Sequence, residues 1–258
     1  MYPVILSTPW FNIYSYGVLI ALGYTLGTVW ILHEAKKQQL PVTAVFDMLL
    51  FQLIIGICGS RLLYIIEYSP DKLNFKDFFS FEQGGLTFYG SVISSFIFDL
   101  FYLKIRRIPF WQVMDCIGFG MPLGIAIARV GCFLNGCCYG TECDLPWALS
   151  FPATNGQYVH PTQLYESLSA LLIFFLLQKY RKLQRNHGEV FLASVALYSI
   201  CRFFIEFLRA ENPVVFWGMH LSHFIGIGIL AAAFITWKFI DSSKKLRILP
   251  TNETKELK

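Results

Sequence analysis

Charge is scarce in this sequence. Only 15% of its 258 residues are Asp, Glu, Lys or Arg, while 55% are apolar; a soluble domain carries about 25% charged residues. That deficit excludes an ordinary water-soluble globule. The first twelve residues hold no positive charge ahead of an apolar core, so no cleavable leader is expected and the first apolar segment would itself act as the signal. Repeats, low-complexity runs and long linkers are also missing. One domain over residues 1–241 is therefore expected, followed by a solvated basic tail at 242–258. Residues 132–162 form the one long polar excursion, and they contain no lysine or arginine. They are the likeliest functional loop.

What is present is a series of apolar segments. A membrane-crossing helix needs about 20 mostly apolar residues. Seven segments qualify, at roughly 13–34, 44–66, 84–103, 110–131, 163–180, 189–208 and 218–240. The third and fourth are interrupted by Gly84, Gly85, Asp99, Asp115 and Pro122. The expected fold class is an all-α polytopic membrane protein with seven transmembrane helices. Cytoplasmic loops are enriched in Lys and Arg. With the N-terminus outside, 15 of the 21 basic residues fall inside, three (Lys72, Lys76, Arg209) fall outside and three lie within spans. The expected topology is N-terminus out and C-terminus cytoplasmic. The net charge of +4 then calls for no nucleic-acid partner.

The three basic residues within spans are Arg61, Arg129 and Arg202. Each costs upward of about 2.5 kcal/mol at mid-bilayer, so such residues face the bundle interior and pair. Arg202 precedes Arg209 by seven residues, which places it about 10 Å below the outer boundary at 1.5 Å per residue. Arg61 and Arg129 sit near the outer ends of their spans, at a similar depth. Tyr198, Arg202, Glu206 and Arg209 recur at helical spacing and should share one inward face. An Arg202–Glu206 ion pair that merely tolerates burial would explain that helix alone. Three arginines at headgroup depth instead suggest a lipid phosphate held by bidentate guanidinium groups.

Other stretches open onto the same side. "ARVGCFLNGCCYG" (128–140) leaves the membrane through glycines that permit tight turns near a ligand. "HPTQLYES" (160–167) enters the fifth span with Pro161 suited to a helix start, putting His160 at the surface and Glu166 one and a half turns in. His160 in such a place is ordinarily a surface or capping residue. "GGLTFYG" (84–90) brings Tyr89 to the same face, where a tyrosine is ordinarily a belt residue. Cys132, Cys137, Cys138 and Cys143 cluster in the outer loop. Their CxxxxCCxxxxC spacing is not the paired CxxC of zinc sites, so structural thiols come ahead of a disulfide, and a metal comes last. No metal and no cofactor is expected.

Taken together, "SYGVLI" (15–20), "GSRLLYIIEY" (59–68), "GGLTFYG", "ARVGCFLNG" (128–136), "HPTQLYES" and "YSICRFFIEFLR" (198–209) resemble the bacterial prolipoprotein diacylglyceryl transferase family from about Tyr16 to Ile240. The resemblance implies a seven-helix bundle in the cytoplasmic (inner) membrane, with its site facing the outer or periplasmic side. It also implies transfer of the diacylglyceryl group of phosphatidylglycerol to the lipobox cysteine of a prolipoprotein signal peptide. On this resemblance Arg129 is the phosphatidylglycerol-binding arginine, Arg202 and Glu206 are the essential-looking pair, and Tyr198 is their neighbour one turn earlier. Tyr16, Arg61, Asn135, Gly140, His160 and Glu166 fall on other motif positions.

The implied chemistry suits these residues. A thiolate attacks the glyceryl carbon next to the phosphate ester, and arginines stabilise the charge gained by the leaving group. The thiol, with a pKa of about 8.5 when unperturbed, needs a base. Two departures bear on that base: the family's third-span histidine is Tyr89 here, and the acidic residue that some members carry after "NG" is Cys137. Tyr89 and His160 are both candidates. The rival expectations are a related phospholipid-using transferase with another acceptor and, less favoured, an anion transporter. Transport would favour charges staggered through the bilayer, whereas here the basic cluster lies at one depth.

Overall fold

The computed structural model describes residues 2–8, 12–68, 78, 85, 87–210, 214–216 and 219–248. Among these, seven helices run eighteen residues or longer: α1 (Ser15–Lys37), α2 (Val42–Tyr68), α3 (Phe88–Arg106), α4 (Phe110–Asn135), α5 (Thr162–Tyr180), α6 (Glu189–Glu206) and α7 (Leu221–Ile248). Four of them, α1, α2, α4 and α7, are long and apolar enough to cross a membrane by length and composition. Polar and charged residues dilute the others: Asp99 and Lys104 in α3, Glu166 and Lys179 in α5, and Glu189, Arg202 and Glu206 in α6. Large apolar side chains such as Val29, Ile54, Phe101 and Phe234 are exposed, as lipid-facing surfaces require. The chain is a helical membrane protein. Two compact units are recognised, one made of 1–31 and 114–258, the other of 32–113.

In the first unit, β1 (Val4–Ser7) and β2 (Asn12–Tyr14) pair as an antiparallel hairpin ahead of α1, so the helix starts two residues later than the predicted first span. Within α1, Gly23 and Gly27 face Gly120 and Gly124 of α4. A Cβ on Gly23 would lie 2.7 Å from the Gly124 carbonyl, and one on Gly120 would lie 2.6 Å from that of Gly27. Two small-xxx-small stripes thus let the backbones touch, the favoured way to join helices where lipid competes for apolar surface. Pro122 lies inside α4 without ending it, as membrane helices tolerate. Phe119, Ile173, Leu177 and Val190 form a buried core between α4, α5 and α6.

Asp115 fixes the start of α6. Its carboxylate accepts the backbone N–H groups of Gly188 (2.6 Å), Val190 (3.0 Å) and Phe191 (3.0 Å) and the Gln184 amide (2.7 Å). Those N–H groups have no intrahelical acceptor, and an anion complements the helix dipole there. This aspartate, which in the sequence only interrupts an apolar segment, therefore clamps α6 to α4.

The second unit packs α2 against α3 through small residues. A Cβ on Gly90 would collide with the Gly59 carbonyl, and one on Gly56 would sit 2.8 Å from the Ser91 hydroxyl. Ser60 and Thr87 exchange hydrogen bonds, Ser60 Oγ to the Thr87 carbonyl at 2.8 Å and Thr87 Oγ1 to the Ser60 carbonyl at 3.0 Å. Because Gly85 takes φ +87°, α3 begins at Phe88 rather than at 84. Gln52 donates to Asp99 at 2.9 Å, which gives that intramembrane acid a polar partner.

Candidate functional site

Glu166, on the second turn of α5, is where the charged side chains of the first unit converge. One oxygen, Oε1, meets Arg129 Nη2 of α4 at 2.9 Å and accepts the Tyr198 hydroxyl of α6 at 2.7 Å. The other, Oε2, meets Arg202 Nη1 of α6 at 3.2 Å, while Arg202 Nη2 reaches Glu206 Oε2 at 2.6 Å. Three helices are joined by two arginines, two carboxylates and a phenol. The Arg202–Glu206 pair expected within one helix exists, but it is only one link of this network.

These two arginines and two carboxylates are not equally exposed. The Arg129 and Arg202 side chains are 22% and 20% accessible, those of Glu166 and Glu206 only 3% and 0%. The carboxylates are therefore the enclosed floor, and the two partly buried arginines are the more accessible partners. Such an arrangement presents positive charge outward while every buried charge keeps a partner, as burial demands. The floor also holds the guanidinium forks in fixed orientation, the preorganisation that bidentate phosphate recognition exploits.

Beside this cluster the loop 136–161 is folded onto the helix ends. Thr162 and Gln163, at the start of α5, donate to the carbonyls of Cys138 (2.7 Å) and Cys137 (2.6 Å). β3 (Leu149–Ser150) pairs with β4 (Tyr158–Val159), and Tyr139 stacks on Phe151 at 5.6 Å. Gly140 bridges Arg209 and donates its N–H to the His160 carbonyl at 2.9 Å. No larger residue fits there: a Cβ would collide with the Leu208 carbonyl and lie 2.7 Å from His160 Cβ. Arg209 lies beyond the end of α6, with its N–H on the Glu206 carbonyl. It stands outside the helix proper, where the chain turns to pair with Gly140, yet it is buried and within electrostatic reach of Glu166 and Glu206.

A sequence model of the prolipoprotein diacylglyceryl transferase family matches residues 3–239. The chain belongs to that family. It is 36% identical over 202 residues to the phosphatidylglycerol–prolipoprotein diacylglyceryl transferase of Clostridioides difficile, covering 78% of this chain and 80% of that one. The enzyme of that name from Finegoldia magna is 34% identical over 226 residues, covering 87% and 90%. In Clostridium perfringens, phosphatidylglycerol–prolipoprotein diacylglyceryl transferase 1 is 30% identical over 257 residues, covering 96% and 98%.

Against the expected site of a diacylglyceryl transferase, the structure gathers Arg129, Tyr198 and Arg202 on one carboxylate, and Glu206 joins them through Arg202. It adds Glu166, whose central place was not anticipated. The available signal was a carboxylate inside a span, itself a pointer to function, on the same buried face as Thr162 and Gln163. His160 is half-buried; its Nδ1 lies 3.3 Å from the Tyr165 hydroxyl, which accepts the Trp147 indole N–H at 2.7 Å. Tyr165 can thus donate its own proton to Nδ1. Asn135 is exposed as the last residue of α4, and Tyr16 is 40% exposed on the first turn of α1. Arg61 and Tyr89 belong to the other unit. Arg61 is buried, donating to the Gly85 carbonyl at 3.1 Å with its guanidinium over the Tyr64 ring. Tyr89, on the first turn of α3, is 39% exposed.

Proposed function

We propose that this chain transfers the diacylglyceryl group of phosphatidylglycerol to the lipobox cysteine thiol of a prolipoprotein, forming a thioether and releasing glycerol phosphate. The observation that carries the reading is the arginine pair standing as the more accessible partners over a closed carboxylate floor. A lipid phosphate meets two cations whose orientation is already held by Glu166 and Glu206. Charge gathers on the departing phosphate as the carbon–oxygen bond breaks, and fixed guanidinium groups stabilise that state more than the starting ester. Family membership supplies the donor, the acceptor and the reaction.

In this reading all seven long helices cross the bacterial cytoplasmic membrane, N-terminus out and C-terminus in, as one transferase domain over 1–241. The cluster then faces the outer side, in keeping with the distribution of lysine and arginine. Asn135, Gly140 and Tyr16 keep the binding roles of their motif positions, as does Arg61. Tyr89 and His160 remain the two groups proposed to serve the acceptor thiol. The preferred acceptor is a signal peptide with a lipobox cysteine.

The test is incubation of purified protein in phosphatidylglycerol-containing micelles with a lipobox peptide and with its Cys→Ser counterpart. The cysteine peptide should gain one diacylglyceryl mass and the serine peptide none. Equal modification of both, or of neither, contradicts the proposal.

A further inference from the structure

Cys132, Cys137 and Cys138 are separated in sequence by a helix end and a turn, yet their three sulfur atoms lie within 4.8 Å of one another. We propose that these three residues form a trithiolate site for a thiophilic cation, zinc(II) being the ion with which it is tested. The proposal concerns this cluster alone and does not depend on the transfer reaction.

Three features support it. The spacing that argued against a metal in linear form is folded back by the backbone. Gly136 at φ +74° and Cys138 at φ +64° reverse the chain after α4. A left-handed cysteine is uncommon, and such conformations persist where the surroundings over-determine them. Here those surroundings are visible: Gln163 and Thr162 hold the carbonyls of Cys137 and Cys138 at 2.6 and 2.7 Å. The thiols are thus delivered by a fixed scaffold.

The number of sulfurs is the second feature. A disulfide uses two of them, whereas a cation uses all three; the Cys137 thiol meanwhile donates to the Cys132 carbonyl at 3.7 Å. Zinc–sulfur bonds of about 2.3 Å place bound sulfurs roughly 4 Å apart, so side-chain rotation by less than an ångström closes the set. The third is charge. Binding releases the thiol protons and leaves three thiolates around a divalent ion, one negative charge in excess. Arg129 Nη1, 4.0 Å from the Cys132 sulfur, supplies the offsetting cation.

The full-length protein in detergent, reduced and stripped of metal, would be titrated with zinc and its thiols then counted by maleimide labelling and intact mass. Of seven cysteines, zinc should protect Cys132, Cys137 and Cys138, located by peptide mapping, at one ion per chain. Cadmium in place of zinc should give thiolate charge-transfer absorbance at the same stoichiometry. Cys132→Ser and Cys138→Ser should each weaken binding at least tenfold, while Cys143→Ser should leave it unchanged. The wild-type labelling decides the question even if a serine variant folds poorly. Absence of stoichiometric binding, protection of other cysteines, or a mass two units low from a disulfide within the trio would each overturn the site.

Discussion

Replacing Arg202 with lysine keeps the charge and removes the fork. In the wild type one guanidinium spans two carboxylates, Nη1 to Glu166 at 3.2 Å and Nη2 to Glu206 at 2.6 Å. A single ammonium cannot occupy both places. Glu166 keeps Arg129 at 2.9 Å and Tyr198 at 2.7 Å, so the loss falls on Glu206, whose side chain is fully buried. Removing one partner of a buried ion pair costs about 3–5 kcal/mol; Arg202→Lys keeps a cation beside Glu206 and should fall below that range while remaining measurable. Transfer should fall at least about 10²-fold, the effect of losing one preorganised donor. Thermal unfolding in detergent and the peptide assay read the two effects separately. Adding Glu206→Gln should restore part of the stability, because the buried carboxylate that lost its guanidinium is gone, but not the activity. An Arg202→Lys enzyme with normal stability and rate would refute the network as described. So would a double variant less stable than the single one.

Arg129→Gln should lower transfer about 10²- to 10³-fold with a smaller stability loss than a broken isolated pair, since Glu166 retains Arg202 and Tyr198; steady-state rates and melting curves check this. Tyr89→Phe should cost about 10²-fold if the hydroxyl takes part in proton transfer. A silent Phe variant alongside an impaired His160→Ala would assign that role to His160. Gly140→Ala should destabilise the protein by about 1–3 kcal/mol, the range for overpacking a closed site, measured as a drop in Tm.

The membrane class could be read from the apolar runs, because lipid contact imposes an apolar composition regardless of neighbours, most fully on α1, α2, α4 and α7. Helix ends were less legible. The start of α3 depends on the conformation of Gly85, and the end of α6 depends on Arg209 pairing with Gly140 from a distant loop. The arginines stood out because a guanidinium in a span has few explanations. Glu166 did not, since its partners Arg129, Tyr198 and Arg202 are all more than thirty residues away and its role exists only once α4, α5 and α6 are assembled. The proximity of Cys132, Cys137 and Cys138 was hidden for the opposite reason. Linear spacing hid a convergence that two left-handed residues create. Asp115 likewise read only as an interruption of an apolar segment, because the start of α6 that rests on it lies more than seventy residues away.

The most direct test of the central claim is the bond made to the acceptor. Phosphatidylglycerol labelled in its headgroup would be reacted with a lipobox peptide, and the modified peptide treated with neutral hydroxylamine. The account predicts a diacylglyceryl peptide that survives this treatment, because a thioether is inert to it, with one labelled glycerol phosphate released per peptide modified. A hydroxylamine-labile acyl peptide, or modification without release of glycerol phosphate, would contradict it.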